Sequence, residues 1–444
     1  MSETFFNKKN YTSLLFLLVI IFTSKIAFGE DNVNYSGPGD NKDGYESKSY
    51  TTNSLSIEDR KGKKADLIKY VTIKQLGLPK LIIPEDNPIT RQKIELGKKL
   101  FFDRRLSLNN TMSCGMCHVP EQGFTNNEIK TAVGIEGRSN LRNTPTLLNV
   151  AFNKFLFHDA REFSLENQVW QPVLAHSEMA MPSFGFTIKK LKLIPGYKKS
   201  FNDAFPGEGI SMETFGKAIA SYERSLVSGN SPFDKWYYAG DEEAVSDEVK
   251  KGFEIFVGKG GCSSCHVIGN DSALFFDNKL HNTGIGYAES MGIHENKKTR
   301  VQLAPGEYVE VDNDIIKSVN QQKRNNDLGL YTVTENPSHR WLFKTPSLRN
   351  ISLTAPYMHN GIFSNLDEVI DFYNEGGFNN ELLSPMIKKL ELSKDEKNNL
   401  KYFLNSLVGE NIEILIADAL AVPVGDLTKK DPNWANENDM GYNK

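Results

Sequence analysis

Residues 112–124 read MSCGMCHVPEQGF, and they contain two cysteines followed directly by a histidine, Cys114-x-x-Cys117-His118. The pattern recurs at residues 262–266 as CSSCH, so the two copies use all four cysteines of the chain. Two thiols at this spacing can each add to one vinyl group of a haem, while the histidine binds the iron. A redox dithiol would need a βαβ setting, which the sequence does not indicate, and a zinc site of four cysteines leaves both histidines without a role. We therefore expect two covalently attached haem c groups.

The stretches before the two motifs resemble each other, because Gly97 is followed four residues later by Phe101 and Gly252 four residues later by Phe256. On a helix this spacing places a small residue and an aromatic ring on one face. A glycine lowers helix stability unless another helix must approach closely, so each stretch predicts a helix packed against a neighbour. The chain is thus predicted to hold two related haem units, with covalent attachment and iron ligation by Cys114, Cys117 and His118 in the first and by Cys262, Cys265 and His266 in the second.

The amino-terminal residues indicate export. Lys8 and Lys9 precede an apolar run over residues 14–22, and small residues suit cleavage just before Glu30. The apolar run is shorter than the roughly 20 residues that span a bilayer. We therefore predict a signal peptide at residues 1–29, a periplasmic location and no membrane span after cleavage, with an uncleaved anchor as the alternative. A net charge of −4 gives no reason to expect nucleic acid as a partner.

Helical patterns dominate the remaining chain, so we predict a mainly α protein with two cytochrome c-like haem domains and loop insertions. Hydrophobic residues make up 39% of the 444 residues, which supplies enough apolar side chains for more than one core. We assign a flexible linker to residues 30–79, the N-terminal haem domain to 80–240, the C-terminal haem domain to 241–410 and a C-terminal extension to 411–444.

Several further stretches resemble the bacterial di-haem cytochrome c peroxidase family, including its MauG-like branch. Together they span about residues 85–405 and read, besides the first motif, RNTPTLLNVAFN, SLENQVWQPVLAHSEMAMP, HNTGIG, FKTPSLRNISLTAPYMHNG and LDEVIDFYNEGG. The resemblance implies that hydrogen peroxide meets the N-terminal haem, which makes residues 80–240 a peroxidatic domain, and that the C-terminal haem stores or relays an electron. Family members often form dimers, which makes a homodimer a candidate assembly.

The sixth ligand of the second haem is one of two features that decide the chemistry. A helix that we predict to be capped by Ser364 carries Tyr373 on its apolar face. Conventional members of the family have a methionine at this place, 14 residues after His359, whereas MauG-like members have tyrosine. The resemblance implies that Tyr373 binds the second iron; Met358 and Met291 are rival ligands, and a plain core tyrosine is the structural alternative. A thioether raises the haem potential, whereas a phenolate is a hard anion that favours ferric and higher states.

The open position of the first haem is the other deciding feature. Conventional members block this iron with a histidine 16 residues after the motif, but here Ile135 lies near that place. The resemblance then implies a five-coordinate iron that reacts with peroxide directly. Glu178 and Gln168 match the family's distal carboxylate and glutamine, which would move the peroxide proton and face the developing charge. Pro172 lies between them and is predicted to break the helix; surface polar residues are the alternative interpretation of both.

The resemblance also implies a calcium ion between the haems. Asn143, Thr354 and Pro356 match the family's site, and an amide oxygen with backbone carbonyls suits Ca²⁺. Turn residues beside prolines are the alternative interpretation.

The sequence departs from the family at the tryptophan that relays electrons between the haems in many members, because His158 takes its place in FLFHDAREF. A histidine is far harder to oxidise than an indole, so we expect His158 to make a structural hydrogen bond, to contact a propionate or to approach an iron. Other candidates for a relay or for contacts that orient the haem ligands are Trp170, His281 and His359.

Three functions are compatible with these features. The favoured one is a MauG-like oxidase in which peroxide drives oxidation of tryptophan or tyrosine side chains on a partner protein. The second is a conventional peroxidase that reduces hydrogen peroxide with electrons from a small cytochrome c or a cupredoxin. The third is a di-haem electron carrier without catalysis, which would need both irons to be six-coordinate.

Overall fold

The computed structural model describes residues 62–293, 298–304, 307–312, 315 and 326–422. The predicted signal peptide, the first part of the predicted linker and the end of the C-terminal extension lie outside these residues. Helices provide most of the regular structure of the described chain, as predicted. In chain order they are α1 (Ile68–Thr72), α2 (Arg91–Phe102), α3 (Cys114–Cys117), α4 (Leu165–Gln168), α5 (Trp170–Leu174), α6 (Phe184–Leu193), α7 (Tyr197–Ala204), α8 (Met212–Ser225), α9 (Pro232–Ala239), α10 (Asp247–Val257), α11 (Ile285–Ser290), α12 (Tyr331–Thr334), α13 (Leu366–Asn374), α14 (Lys394–Asn405) and α15 (Ile412–Leu420).

Strands are short and form two separate pairs within the described residues. They are β1 (Leu280–His281), β2 (Lys298–Ala304), β3 (Glu307–Asp312) and β4 (Phe343–Lys344). The pairs β1–β4 and β2–β3 are both antiparallel. No helix in the described part of the chain is both long enough and apolar enough to cross a bilayer.

The helix before each motif crosses a later helix at the predicted glycine. The helix α2 packs against α8, and α10 packs against α14. A Cβ atom on Gly97 would overlap the carbonyl oxygen of Ala218, and a Cβ atom on Gly252 would overlap that of Asn399. Each glycine therefore permits the close approach of two backbones, which confirms the predicted packing.

The two partner helices begin with the same capping arrangement. At the start of α8 the Ser211 hydroxyl accepts from the N–H of Thr214, and the Thr214 hydroxyl accepts from the N–H of Ser211. Ser393 and Glu396 make the same reciprocal bonds at the start of α14. Each capping box satisfies two backbone donors that a helix start otherwise leaves unpaired.

Two large hydrophobic cores follow these helix pairs. The first surrounds α2 and α8, and it includes Leu415 of α15. The second surrounds α10 and α14, and it includes Phe233 of α9. Each core therefore draws on residues from outside the predicted limits of its domain.

Residues 62–79 were predicted as part of a flexible linker, but the structure packs them against the first core. Leu67 and Leu78 are buried. The Gln75 amide donates to the carbonyl of Val227 at 3.1 Å and accepts from the N–H of Gly229 at 2.7 Å. The polar composition hid this packing, because two buried leucines and one amide that bonds to backbone groups suffice to fix the segment.

The two halves also repeat in backbone detail after their motifs. Asn149 and Asn350 both adopt a left-handed conformation, with φ of 61° and 60°, and each precedes one turn of 3₁₀ helix. An isolated antiparallel bridge follows in each half, Leu156 with Glu162 and Tyr357 with Phe363. The loop that begins at Asn149 and the loop that begins at Asn350 therefore follow the same backbone course.

Candidate active site

The first CxxCH motif forms a single helical turn, α3, followed by His118. The Nδ1 atom of His118 lies 3.1 Å from the carbonyl oxygen of Phe124. A carbonyl only accepts, so Nδ1 carries the proton and Nε2 keeps the lone pair that a metal needs. Phe124 itself has φ of 56°, which marks the tight turn that presents this carbonyl.

The second motif repeats this geometry. The Nδ1 atom of His266 lies 2.8 Å from the carbonyl oxygen of Phe275, which has φ of 55°. The same tautomer follows, with Nε2 available to an iron. Both predicted proximal histidines are thus held in the orientation that haem ligation requires.

The side chains of both motifs lie deep in the protein and are still reachable by water. All four cysteines keep partial exposure, although burial raises the pKa of Cys117 and of Cys262 to about 12. Burial also lowers the pKa of His118 to about 4. Groups that are both deep and accessible line a cleft, and two thiols with a neutral imidazole on one cleft wall are the donor set of haem c. The residues present therefore fit this cofactor.

Helix α13 brings Tyr373 to the second motif. Burial raises the pKa of its phenol, and the charges of Cys262 and Cys265 raise it further. The phenol is therefore close to both cysteines of this motif. Of the two rival methionines, Met291 is 56% exposed and Met358 is half-buried with φ of 72°.

The cap of α13 differs from the prediction by one residue. The Asn365 side chain accepts from the N–H of Glu368 at 3.0 Å, whereas Ser364 donates its own N–H to the Glu368 carboxylate at 2.8 Å. Ser364 was therefore wrong as the cap. Asparagine serves as well as serine at this position, and sequence alone could not separate the two neighbours.

Glu178 lines a cavity of about 470 Å³ on the side of the first motif. Burial raises the pKa of its carboxyl group, and the charge of Arg161 opposes that shift. The charge of Glu178 in turn contributes to the raised pKa of Cys117, which places the carboxylate near this motif. The N–H of Ile135 donates to the Glu178 carbonyl at 2.9 Å, so the loop around Ile135 contacts the main chain of Glu178.

Two further polar residues of the cavity were missed from sequence. Arg161 donates through Nε to the Gln171 amide oxygen at 2.7 Å and through Nη1 to Asp159 at 2.8 Å. Gln171 lines the cavity together with Trp170 and Glu178, while Gln168, the predicted glutamine, is half-buried and is not among the described residues that line it. Arg161 follows the FLFHDA stretch directly. A positive charge beside His158 was the only feature of the sequence that could have indicated Arg161 as a site residue.

The predicted helix break also differs in detail. Helix α4 ends at Gln168 and α5 begins at Trp170, so the irregularity lies at Val169. Pro172 has no N–H to donate to the carbonyl of Gln168, four residues earlier, which is where α4 ends. The helix is therefore interrupted between Gln168 and Glu178, as predicted, but three residues before Pro172.

Three of the histidines outside the motifs have surroundings that bear on the predictions. His158 places Nε2 3.0 Å from the carbonyl of Asn143, which is the structural hydrogen bond among the predicted alternatives. His359 stacks on Phe343 with ring centroids 3.6 Å apart. His281 lies 2.7 Å from the Asp277 carboxylate, and Cys265 and Asp277 together raise its pKa to about 9.

Of the residues proposed for calcium, Asn143 contacts the second half of the chain directly. The N–H of Asn143 donates to the carbonyl of His359 at 2.7 Å, and its amide donates to the carbonyl of Lys130 at 2.9 Å. Thr354 donates its hydroxyl to the carbonyl of Ile351, and Pro356 follows a cis peptide bond. His359 lies three residues after Pro356 in the sequence, so this hydrogen bond links Asn143 to the segment that follows Pro356.

Two cleft-lining CxxCH motifs, two oriented histidines and a buried carboxylate beside the first motif define a di-haem c-type oxidoreductase. A family model described as di-haem cytochrome c peroxidase matches residues 91–243. The methylamine utilization protein MauG of Methylorubrum extorquens is 35% identical over 75% of this chain and 83% of its own. The cytochrome-c peroxidase IdrP1 of a Pseudomonas species is 36% identical over 74% of this chain and 84% of its own.

Among solved structures, a MauG-like protein associated with microbial copper homeostasis is similar, with a TM-score of 0.62 and 28% identity over 77% of this chain and 97% of that one. The chain therefore belongs to the di-haem cytochrome c peroxidase family, whose members carry haem c and act on peroxide. This confirms the predicted family and the predicted class of enzyme.

Proposed function

We propose that this protein is a periplasmic di-haem enzyme that activates hydrogen peroxide at an open N-terminal haem and relays electrons through a His266- and Tyr373-ligated second haem. We favour MauG-like oxidation of a partner protein on tryptophan or tyrosine. The observation that carries this proposal is the position of the Tyr373 phenol beside Cys262 and Cys265. A hard phenolate opposite a histidine would stabilise an oxidised second haem, whereas a thioether would not.

The residues around the first motif supply the proton chemistry of this proposal. Haem held by Cys114, Cys117 and His118 would supply a redox-active iron for the cleavage of peroxide. The Glu178 carboxylate would take the proton from one peroxide oxygen and deliver it to the other. Arg161 and Gln171, which are bonded to each other, would fix the peroxide and oppose the developing negative charge. Gln168 stays a candidate for the same role.

The experiment that tests the proposal is a stopped-flow spectrum of the purified di-ferric protein mixed with hydrogen peroxide, with no reductant added. We expect a prompt spectral change that persists. In a Tyr373→Met variant the change should still form but should decay much faster. A Tyr357→Phe variant is the matched control, because Tyr357 is a buried tyrosine of the same half whose hydroxyl donates to the carbonyl of Ile351. A reaction that needs prior reduction of one haem, or an unaltered lifetime in Tyr373→Met, would contradict the proposal.

A conventional peroxidase is the second candidate, and the 36% identity to a cytochrome-c peroxidase supports it. Glu178 serves both functions equally. Steady-state turnover with a reduced small cytochrome separates them, because fast turnover would favour the conventional peroxidase and slow turnover the oxidase.

We also propose one Ca²⁺ held by Asn143, Thr354 and Pro356, export through residues 1–29, and a homodimer as the assembly.

A further inference from the structure

Helix α9 carries three oxidisable rings in a row, Trp236, Tyr237 and Tyr238, at the edge of the second core. Tyr237 is 42% exposed, and Trp236 is partly exposed. The Tyr237 ring stacks on Phe233 with centroids 5.2 Å apart and planes 16° apart. Phe233 is fully buried, so the row of rings runs from the exposed Tyr237 inward to Phe233.

The inward path from this surface reaches the second motif. The Trp236 ring lies 6.1 Å from Phe233, and Phe233 lies 5.5 Å from Phe275, measured between centroids. The carbonyl of Phe275 is the group that accepts from Nδ1 of His266 at 2.8 Å. Two phenyl rings and one hydrogen bond therefore connect Trp236 with the proximal ligand of the second haem.

Trp236 also has a proton acceptor at its outer edge. Its indole N–H donates to the Glu242 carboxylate at 3.3 Å, and Lys250 donates to the same oxygen at 2.8 Å. Lys250 holds the pKa of Glu242 below its usual range, so the carboxylate is ionised at neutral pH. An indole that loses an electron becomes a strong acid at nitrogen, and an ionised carboxylate in contact can take that proton.

The first half differs in the stretch before its motif helix. The stretch that precedes α2, residues 77–84, reads GLPKLIIP and contains no aromatic residue. Trp170, the tryptophan near the first motif, is buried against Phe184 and Phe215. Oxidisable rings reach the surface in both halves, since Tyr70 of α1 is half-buried against the first core. What distinguishes Trp236 is its ring path to Phe275 and its contact with Glu242.

We propose that Trp236, with Glu242 as its proton acceptor, is the surface station through which the second haem exchanges electrons with an external one-electron donor. This inference rests on the proposed function, which supplies the oxidant. In the forward step the Trp236 indole gives one electron to the oxidised second haem and its N–H proton to Glu242, and a neutral indolyl radical remains. A one-electron donor, either a small redox protein or an oxidisable side chain of a partner, then reduces the radical while Glu242 returns the proton.

The test uses the full-length, haem-loaded protein and equimolar hydrogen peroxide without a reductant. Three quantities are followed: the formation rate of the oxidised haem pair, its decay rate, and the radical detected by electron paramagnetic resonance. After repeated peroxide additions, peptide mass mapping locates oxygen added to tryptophan. In the wild type we expect a tryptophan radical and oxygen on Trp236.

Two variants and one control separate the proposed route from general damage. Trp236→Phe should form the oxidised state at the wild-type rate, decay several-fold more slowly and lose the tryptophan radical. Glu242→Gln keeps the indole but removes the proton acceptor, so it should also slow the decay. Trp341→Phe is the matched control, because the Trp341 indole donates to the Ser290 hydroxyl at 3.0 Å and has no carboxylate partner in that bond; its decay should equal that of the wild type.

The outcomes distinguish this inference from the proposed function. Wild-type decay and an unchanged radical in Trp236→Phe, with normal formation of the oxidised state, would overturn the Trp236 route alone. An equal effect of Trp341→Phe would overturn it as well, since the effect would not be specific to α9. Failure of the wild type to form the oxidised state would overturn the proposed function and would remove the oxidant that the Trp236 route needs.

Discussion

The main-chain N–H of Lys344 donates a 2.7 Å hydrogen bond to the carbonyl oxygen of His158. Its counterpart in the other half, the N–H of Asn143, donates a 2.7 Å bond to the carbonyl of His359. Asn143 lies two residues before Pro145, whose carbonyl approaches His118. Lys344 lies two residues before Pro346, whose carbonyl approaches His266. The loop beside each proximal histidine therefore donates a hydrogen bond to a histidine of the opposite half. These two reciprocal bonds connect the halves.

These two histidines should make the protein sensitive to acid. Burial lowers the pKa of His158 to about 4 and that of His359 to about 3, so the folded protein binds fewer protons than the unfolded chain between about pH 4 and 6.5. The free energy of unfolding should therefore fall as the pH falls through this window, by at most about 1.4 kcal/mol per pH unit for each histidine. Urea unfolding at several pH values measures this slope, and His158→Gln should reduce it. A slope unchanged by His158→Gln would show that His158 does not titrate differently on unfolding.

The peroxide reaction should depend on the ionisation of Glu178. Only the carboxylate can accept the peroxide proton, and burial raises the pKa of this group. The rate of formation of the oxidised haem pair should therefore increase with pH and level off above the ordinary range of a glutamic acid. Glu178→Gln should lower the rate by about 10²- to 10⁴-fold and abolish this pH dependence. Glu162→Gln changes another carboxylate that lines the same cavity; it is the control and should keep the pH profile.

Gly97 and Gly252 should not tolerate a methyl group. In Gly97→Ala the new Cβ would meet the carbonyl of Ala218, so α2 must move away from α8 at a cost of about 1–3 kcal/mol or more. Gly252→Ala should have the same effect on α10 and α14. Thermal unfolding and the haem content of the purified protein report both changes. Gly185→Ala in α6 is the control, because open space surrounds that position; a loss of stability there equal to that of Gly97→Ala would contradict the close-approach argument.

The ion pair between Lys98 and Asp418 should be important for stability. Both side chains are fully buried, with Nζ 3.0 Å from the carboxylate, and Asp418 also accepts from the N–H of Ala65. Asp418→Asn would leave the buried Lys98 ammonium with Glu95, 2.9 Å away, as its remaining charged partner and should cost about 1–3 kcal/mol of unfolding free energy. Asp371→Asn breaks an exposed pair with Lys397 and should cost at most about 1 kcal/mol. Equal losses in the two variants would contradict the role of burial.

Removal of calcium tests the proposed site at Asn143. Treatment with a calcium-selective chelator should change the haem spectra and slow the reaction with peroxide, and added Ca²⁺ should reverse both effects. Asn143→Ala should show the slow reaction before chelation and no further response to it. A wild-type protein that contains no calcium by elemental analysis would exclude the site.

Local patterns predicted the features that depend on short stretches of chain. The CxxCH motifs, the helices that hold Gly97 and Gly252, and the helix that carries Tyr373 all follow from spacings of a few residues. The predicted cap at Ser364 was off by one residue, because neighbouring serine and asparagine side chains offer the same chemistry. Gln168 was predicted from the resemblance to the family, and no local pattern indicated Gln171, which lies in the next helix and lines the cavity.

Contacts between distant residues escaped prediction. Arg142 bonds to Asp327 at 2.6 Å and to Asp159 at 2.7 Å, and nothing in the local sequence pairs these charges. The packing of residues 62–79 and the placement of Leu415 in the first core likewise depend on the complete fold. Such contacts are fixed by shape and burial across the whole chain, and no periodicity of the sequence records them.

The place of α15 in the first core has a consequence for biogenesis. Leu415 and Asp418 are fully buried next to the helix that leads into the first motif, but they are among the last described residues to be synthesised. A chain that emerges amino terminus first cannot close this core until α15 has arrived. We therefore expect Cys114 and Cys117 to stay accessible to haem attachment until α15 has been synthesised, and the ion pair between Lys98 and Asp418 to form only when the first core is complete.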